Sequence, residues 1–389
     1  MPTSSKGKIN WLAMRTKCHH GNKDTYGNVR VRPLFNFLHA GLGKHLSYGK
    51  LIEVSSKIGF PIAPPLTASI DVTLRCNSIC GYCDIWKITN KPDDIPLHRL
   101  NQILLSLEKL GTKIVTFGGG EPLLRNDLEK IVFLAKSFKM LVNITTNGIL
   151  LTSERAAGLA EAGVNIIILS LDTLDPRVYE RHRGVSFKVA ERALVSLLNA
   201  NDKYPDLGVA VNCVITNYNA SNLVNFANWI WKQGNGKISM NFQPYHYPPH
   251  QGNLANDEFI PKPDSKRALE EEINELINLK RLGAPINNSE FYLRQIPDYL
   301  CAGNLPDNFR CLAGYTGFSI TTDLKVLPCW RLPPIGDLNS EDLIDVWFSQ
   351  KYRKQRKNMK YLRCPKCWLT CHNEKGWYEW YDYIYKFCT

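Results

Sequence analysis

Between residues 67 and about 283 the chain switches repeatedly between two hydrophobic rhythms. Short apolar, β-prone runs at 69–73, 113–117, 140–145, 165–170, 208–215 and 238–242 predict six strands. Longer stretches between them, at 97–110, 127–138, 152–162, 186–200 and 221–233, carry the wider spacing of helices. A last helix is clear: Ser265 caps it, Leu269, Ile273, Leu276 and Ile277 form its apolar stripe, and Gly283 ends it. Strand and helix in strict succession predict an α/β fold, a parallel sheet curled into an open barrel. Such barrels build their sites from the loops at the C-terminal ends of strands. Ahead of this region, residues 33–42 predict a short amphipathic helix, with Leu34, Phe37, Leu38 and Leu42 on one side.

The loop after the first strand reads Cys76-Asn77-Ser78-Ile79-Cys80-Gly81-Tyr82-Cys83. Three thiolates at this spacing suit three irons of a [4Fe–4S] cluster, which would need a fourth thiolate to be fully protein-bound. A metal left with an open position points to chemistry rather than structure. A structural zinc site is the other reading, but zinc motifs pair one C-x2-C with a second pair farther along. The loop after the second strand is Gly118-Gly119-Gly120-Glu121-Pro122.

A C-x3-C-x2-C loop after one strand and a GGEP segment after the next resemble the radical S-adenosylmethionine (SAM) superfamily. The resemblance implies a partial (β/α)6 TIM-like barrel, a [4Fe–4S] cluster with one open iron on Cys76, Cys80 and Cys83, and SAM as cofactor. It also implies the reaction, reductive cleavage of SAM to a 5′-deoxyadenosyl radical that takes a hydrogen atom from substrate. Tyr82 holds the family's aromatic position, where the backbone touches adenine; simple packing is its other reading. Gly119, Gly120 and Glu121 match the segment that receives the SAM amino group, with a purely structural acid as the alternative for Glu121. Thr145-Thr146-Asn147-Gly148 and Ser170-Leu171-Asp172 resemble segments lining the SAM pocket, where Ser170 and Asp172 suit ribose or methionine polar groups. Asp172 could instead cap the turn that follows. Arg183 matches a frequent family arginine that pairs with the methionine carboxylate, and Arg181 is its near competitor. Gln243 and His246, after the sixth strand, are weaker candidates for facing substrate or adenine.

Past the barrel, cysteines crowd together at 301, 311, 329, 364, 367, 371 and 388. Residues 321–329 resemble the hairpin of the SPASM and Twitch extensions of radical SAM enzymes, although Asp323-Leu324 stands where those carry Asp-Gly. The resemblance implies a small C-terminal cysteine-rich α+β domain with one auxiliary [4Fe–4S] cluster on Cys311, Cys329, Cys364 and Cys367. Cys371 or Cys301 could replace one of these, Cys388 could add a ligand, and two auxiliary clusters are the alternative. A zinc knuckle at Cys364, Cys367, Cys371 and His372 is the structural reading. The expected division is a leader over 1–65, the barrel over 66–290 and the auxiliary domain over 291–389.

Composition narrows the partners. The chain has 389 residues, no apolar run long enough to span a bilayer and no secretory h-region at its start. A cytoplasmic protein follows, and there twelve cysteines read as metal ligands rather than disulfides. Cys18, His19 and His20 lie together without partners at ligand spacing. Net charge is +12, densest over 351–363, with lesser clusters at 44–57 and around Arg30 and Arg32. A solvated helix face is the plain reading of 351–363, and an anionic partner is the functional one. No aromatic-interleaved motif favours nucleic acid, and a membrane surface is a weak candidate. The resemblance implies a low-potential electron donor such as flavodoxin or ferredoxin. Relatives with such extensions include anaerobic sulfatase-maturating, peptide-crosslinking and peptide-epimerising enzymes and dehydrogenases of aminoglycoside precursors. Peptide or protein modification is the favoured reading. Oxidation or epimerisation of a sugar-like, lipid or cell-envelope metabolite, or a peptide-free role as a non-catalytic electron carrier, are the alternatives.

Overall fold

The computed structural model describes residues 47–246, 257–307 and 309–369. The expected helix at 33–42, the Cys18-His19-His20 group, Cys371, His372 and Cys388 lie outside the described residues.

Helix α1 (Tyr48–Ile58) opens the described chain, capped by the Ser47 hydroxyl and closed by Gly59 in the left-handed region. Six strands follow, β1 (Thr67–Thr73), β2 (Ile114–Gly119), β3 (Leu141–Thr146), β4 (Ile166–Ser170), β5 (Gly208–Ile215) and β6 (Ile238–Pro244). The helices that connect them are α2 (Leu97–Leu110), α3 (Leu128–Ser137), α4 (Ser153–Glu161), α5 (Pro176–Arg183), α6 (Phe187–Lys203) and α7 (Leu223–Gly234). Then come α8 (Lys266–Arg281), α9 (Glu290–Arg294), α10 (Ile296–Ala302) and α11 (Ala313–Thr316). Strands β7 (Gly317–Ile320), β8 (Lys325–Leu327) and β9 (Gly336–Asp337) precede α12 (Leu343–Phe348) and α13 (Gln350–Lys360).

The strands form one open sheet in the order β6-β5-β4-β3-β2-β1-β7-β8-β9. Strands β1 to β6 pair in parallel with their chain neighbours, as the six β–α units require. One face is apolar: Ile70, Val72, Val115, Phe117, Val142, Ile144, Ile167, Leu169, Val211 and Met240 pack under the helices in one core. The period-two alternation puts Ser69, Asp71, Thr116, Asn143, Thr145, Ser170, Asn212, Asn241 and Gln243 on the opposite, concave face. That face carries most of the strands' polar side chains, with Leu141, Ile166, Ile168 and Val214 among them.

The sheet does not stop at β1. Strand β7 pairs with it in parallel, Thr67 to Gly317 through Ile70 to Ile320, and β8 and β9 follow antiparallel. The cysteine-rich part therefore shares both the sheet and the hydrophobic core of the barrel, through Phe318, Trp347, Tyr352 and Trp368. The expected hairpin forms despite its missing glycine. Leu324 takes the left-handed backbone, φ +65°, at a cost of roughly 1–2 kcal/mol for a residue with a Cβ. Its side chain is only 7% exposed, and that burial offsets the strain.

Beneath the N-terminal ends of β1 and β2, α1 seats a second small core of Tyr48, Leu51, Ile52, Leu66, Ile114 and Tyr315. Its pin is Ser55, buried, whose hydroxyl oxygen accepts from the backbone N–H groups of Ile62 (3.1 Å) and Ala63 (3.2 Å). None of the described helices is long and apolar enough to cross a membrane. Replacing Ser55 by Ala strands two buried donors, so urea denaturation should show a loss of about 1–3 kcal/mol; an unchanged midpoint would mean that the hydroxyl does not fix this segment.

Candidate functional site

The three cysteines of the first loop come together beyond the C-terminal end of β1. Cys80 is buried and Cys76 and Cys83 are half-buried. The loop is held by its backbone: Cys83 N–H donates to the Cys80 carbonyl (3.2 Å), Gly81 N–H to the His182 carbonyl (3.0 Å), and the Trp86 ring N–H to the Cys80 carbonyl (3.0 Å). Ser78 donates its hydroxyl to the Arg183 carbonyl and lies 3.3 Å from the Cys80 sulfur.

The second loop presses onto the first. A Cβ on Gly119 would lie 2.2 Å from the Thr73 carbonyl oxygen, and one on Gly120 would lie 2.1 Å from that of Arg75. Only glycine allows this approach, and Gly119 also has φ +108°. The contact brings Gly120 N–H to the Thr73 carbonyl and Glu121 N–H to the Arg75 carbonyl, both at 2.8 Å. Glu121 is 1% exposed, and its carboxylate turns inward. It accepts from the Thr146 hydroxyl (2.7 Å) and the backbone N–H groups of Asn147 (2.7 Å) and Leu123 (3.0 Å). The carboxylate thus acts as a strut between the ends of β2 and β3. Asn147 returns the tie to the first loop by donating its side-chain amide to Asn77 (2.9 Å).

On the other flank lies a buried ion pair. Arg183 makes two contacts of 2.8 Å to Asp172, which is 1% exposed. The Tyr82 hydroxyl (2.8 Å) and the Val214 N–H (2.9 Å) also donate to Asp172. Burial alone would raise this carboxyl, but Arg183 and His182 beside it hold it well below the ordinary carboxylate range. Both prongs of the Arg183 guanidinium engage Asp172, since both groups are buried and each neutralises the other. Arg181 points outward to Glu258 (2.5 Å). Tyr82 packs edge-on against His182, Tyr245 and Phe259, with Arg183 5.2 Å from its ring centre. Ser170 sits half-buried on the concave face beside Asn212, its register partner.

The motif reading passed over Asp71, which the strand alternation could have exposed. It stands on the concave face opposite Gly118, and burial, with the charge of Asp323 adding to it, pushes its carboxyl up to about 7.

A second group assembles beyond β8. Cys311 is within electrostatic reach of Cys329, Cys364 and Cys367. Two clamps build this site. Arg356, 1% exposed, donates to the Gly314 carbonyl (2.7 Å) and the Trp347 carbonyl (2.8 Å) and lies 3.8 Å from the Tyr352 ring centre, fixing α11 beside Cys311. Trp368 stacks on Tyr292 at 5.3 Å, and each donates to the other's backbone carbonyl (3.0 and 2.9 Å), fixing the segment that follows Cys367. Cys301 stands apart from these four, among Lys266, Glu270 and Asp298.

Both groups suit iron–sulfur clusters. No group of three or more His, Cys, Asp or Glu among the described residues is arranged around a single ion. A cubane asks for something wider, because each iron takes its own thiolate. Burial pushes the Cys83 thiol up to about 11 and that of Cys367 up to about 12, so these sulfurs need a bound cation's charge to become thiolates.

The sequence profile of the Radical SAM superfamily matches residues 70–230, and that of SPASM, an iron–sulfur cluster-binding domain, matches 311–372. The chain carries a radical SAM domain followed by a SPASM domain. Its cofactors are accordingly SAM and iron–sulfur clusters, the second kind of site lying in the SPASM region. Mycofactocin maturase MftC of Mycolicibacterium smegmatis is 32% identical over 164 residues, 42% of this chain and 41% of that protein. The chain therefore spans less than half of that relative's length. PqqA peptide cyclase of Streptomyces rochei is 25% identical over 314 residues, 78% of this chain and 81% of that one. The crystal structure of Streptococcus suis SuiB bound to precursor peptide SuiA shares the fold, with TM-score 0.61 and 20% identity over 91% of this chain and 79% of that one.

Glu121 generates a pH prediction. Burial pushes its carboxyl up from 4.5 to about 6, despite three donors. The folded value lies above the unfolded one, so its stabilising share is full below pH 4.5 and fades as pH rises through 6. Between pH 5 and 7 wild type should lose about 1 kcal/mol relative to Glu121→Gln, read by anaerobic urea denaturation at both pH values. A constant difference would remove the buried-acid assignment.

Proposed function

We propose that this radical SAM protein is an enzyme that modifies a peptide or protein. Cys76, Cys80 and Cys83 would hold the [4Fe–4S] cluster with one open iron, and Cys311, Cys329, Cys364 and Cys367 one auxiliary cluster. Bound together, the first cluster and SAM supply reductive cleavage of the sulfonium and a 5′-deoxyadenosyl radical that abstracts hydrogen. The chain's residues bind and orient. The backbone of Gly119 and Gly120 offers carbonyl acceptors at the strand ends. Tyr82 and the Asp172–Arg183 pair form a rigid wall, and the polar concave face, with Ser170 and Asn147 at its rim, receives the rest.

The observation that carries the peptide reading is a cavity of about 330 Å³ where barrel and SPASM region meet. Tyr245 and His246 line it from the end of β6, Tyr299 and Cys301 from α10, and Arg331 and Lys366 from the two cysteine segments. Burial, followed by the Arg331 charge, pushes His246 down to about 4, so it is neutral at physiological pH. Substrate here would touch both cofactor regions. The similarity to PqqA peptide cyclase covers 78% of this chain, which supports a peptide rather than a free metabolite.

The division into a barrel over 66–290 and an auxiliary domain over 291–389 belongs to this reading, supported by the two profile matches. So does a cytoplasmic location, since none of the nine cysteines among the described residues is in a disulfide, as suits a reducing compartment.

Anaerobically reconstituted protein with SAM and dithionite should form 5′-deoxyadenosine, and precursor-type peptides should accelerate it. Cys80→Ala should abolish the product, and retained cleavage would sink the first-cluster assignment. Cys329→Ala should keep the first cluster but lose about four irons by elemental analysis; full iron content would remove Cys329 from the ligand set.

A further inference from the structure

A second cleft, of about 540 Å³, lies well away from the barrel mouth. Its walls are the end of α1, Tyr315 of α11, and one face of α13. Lys57, Arg353, Lys354, Lys357 and Lys360 line it, and no acidic side chain does. Two of these charges are partly spent. Lys57 pairs with Glu53 (2.6 Å), and Lys360 donates to the Ser56 carbonyl (2.7 Å). Arg353, Lys354 and Lys357 are exposed and form no ion pair with any described residue. Three cations converging on one concavity without a counter-charge among the described residues exceed what a solvated helix face needs, since exposed helices normally interleave opposite charges.

The position of the cleft narrows its partner. Tyr315 and the end of α1 precede β7 and β1, so the cleft opens at the N-terminal ends of those strands. The concave face and the 330 Å³ cavity open at the C-terminal end of β6. A substrate entering the mouth does not pass here. What does lie here is the SPASM site. Cys311 is two residues before α11, and Cys364 is four residues after α13. Tyr352, on the buried side of α13, is within electrostatic reach of Cys329. The cationic surface and the auxiliary cysteines are thus separated by one helix, about 10–12 Å across.

The geometry points to this cleft as the docking surface for an acidic, low-potential electron-transfer protein of the flavodoxin or ferredoxin kind, which passes one electron to the auxiliary cluster through α13. The step is a one-electron reduction of that cluster with matching oxidation of the donor, and no bond is made or broken. Complementary charge would steer the encounter and make it salt-sensitive. A membrane is a poorer match, because the cations line a recess between helices rather than a protruding face.

This rests on the auxiliary cluster of the proposed function, and the experiment separates the two. Holoenzyme is reduced anaerobically by reduced flavodoxin and, separately, by dithionite, following cluster bleaching by stopped-flow absorbance. Arg353→Glu/Lys354→Glu/Lys357→Glu should slow flavodoxin-driven bleaching at least about tenfold while leaving the dithionite rate, iron content and dithionite-driven 5′-deoxyadenosine formation unchanged. The wild-type flavodoxin rate should fall as salt rises from 50 to 500 mM, about a threefold fall in Debye length. Equal flavodoxin rates in the two proteins, or a salt-independent rate, would overturn the docking surface while intact dithionite chemistry left the enzyme reading standing. Were the triple variant to lose iron, Lys354→Gln/Lys357→Gln replaces it with the same criterion. Capture by anionic vesicles, with no response to flavodoxin, would also overturn it.

Discussion

The whole arrangement depends on how closely two backbones approach at the top of the sheet. Gly119 and Gly120 lie against the carbonyls of Thr73 and Arg75 at a distance that excludes any Cβ. From that contact a closed circuit runs around the cysteine loop. Arg75 is tied to Glu121, Glu121 to Thr146 and Asn147, and Asn147 back to Asn77 inside the loop. The opposite flank is tied by His182 to Gly81 and by Arg183 to Ser78. A loop rich in thiols and poor in apolar residues has no core of its own. It is held instead by hydrogen bonds anchored in three strand ends, which lets it keep its shape without apolar packing of its own.

The strand–helix rhythm was legible because the apolar face of each strand is buried by helices, which forces period-two alternation next to period-3.6 stripes. All six expected strands form, and the helix expected after Ser265 appears as Lys266–Arg281, although the Ser265 side chain makes no capping hydrogen bond. The cysteine loop and the glycine segment were legible for another reason. Their spacing is fixed by backbone and metal geometry rather than by packing. What stayed hidden was pairwise partnership at long range. Nothing in the letters of Ser170-Leu171-Asp172 and His182-Arg183-Gly184 says that Asp172 and Arg183 meet, since a buried charge shows its partner only after folding. Glu121 was ambiguous for the same reason. Helix α5 was missed because its residues are strongly polar, and its only sequence signals are the Asp175-Pro176 start and the Gly184 stop.

The continuity of the sheet through β1 and β7 was equally invisible, because parallel pairing between strands some 250 residues apart leaves no local pattern. It has a mechanical consequence. Strand β1 carries the first cysteine loop at its end, and β7 leads into the hairpin that ends at Cys329. Two cofactor regions that read as separate domains are thus fixed to each other by four successive register pairs in a common sheet. A flexible linker would let their separation wander, and electron transfer between them would wander with it. Leu324 fits this picture. A glycine at that turn would avoid backbone strain, but Leu324 adds its buried side chain to the core that the hairpin shares with the barrel.

Fixing the two regions in one sheet also gives the molecule two different faces. At the C-terminal end of the strands the surface is a polar concavity, fed by a cavity whose walls come from both parts of the chain. At the N-terminal end, behind α13, it is cationic. A reaction that generates a radical must keep its substrate channel free of competing traffic, yet it also needs an electron from outside. Bringing both through one opening would force donor and substrate to compete for the same space. If the donor docks at the cationic cleft, as proposed above, the electron would take a second path to the auxiliary centre, with a rigid layer between that centre and solvent. The buried Arg356, locked among Tyr352, Trp347 and the Gly314 carbonyl, makes α13 that layer. Burial lowers its pKa to about 10, still well above neutrality, so it remains charged, and its fit among aromatic rings and carbonyls ties the outer cationic helix to the cysteines beneath it.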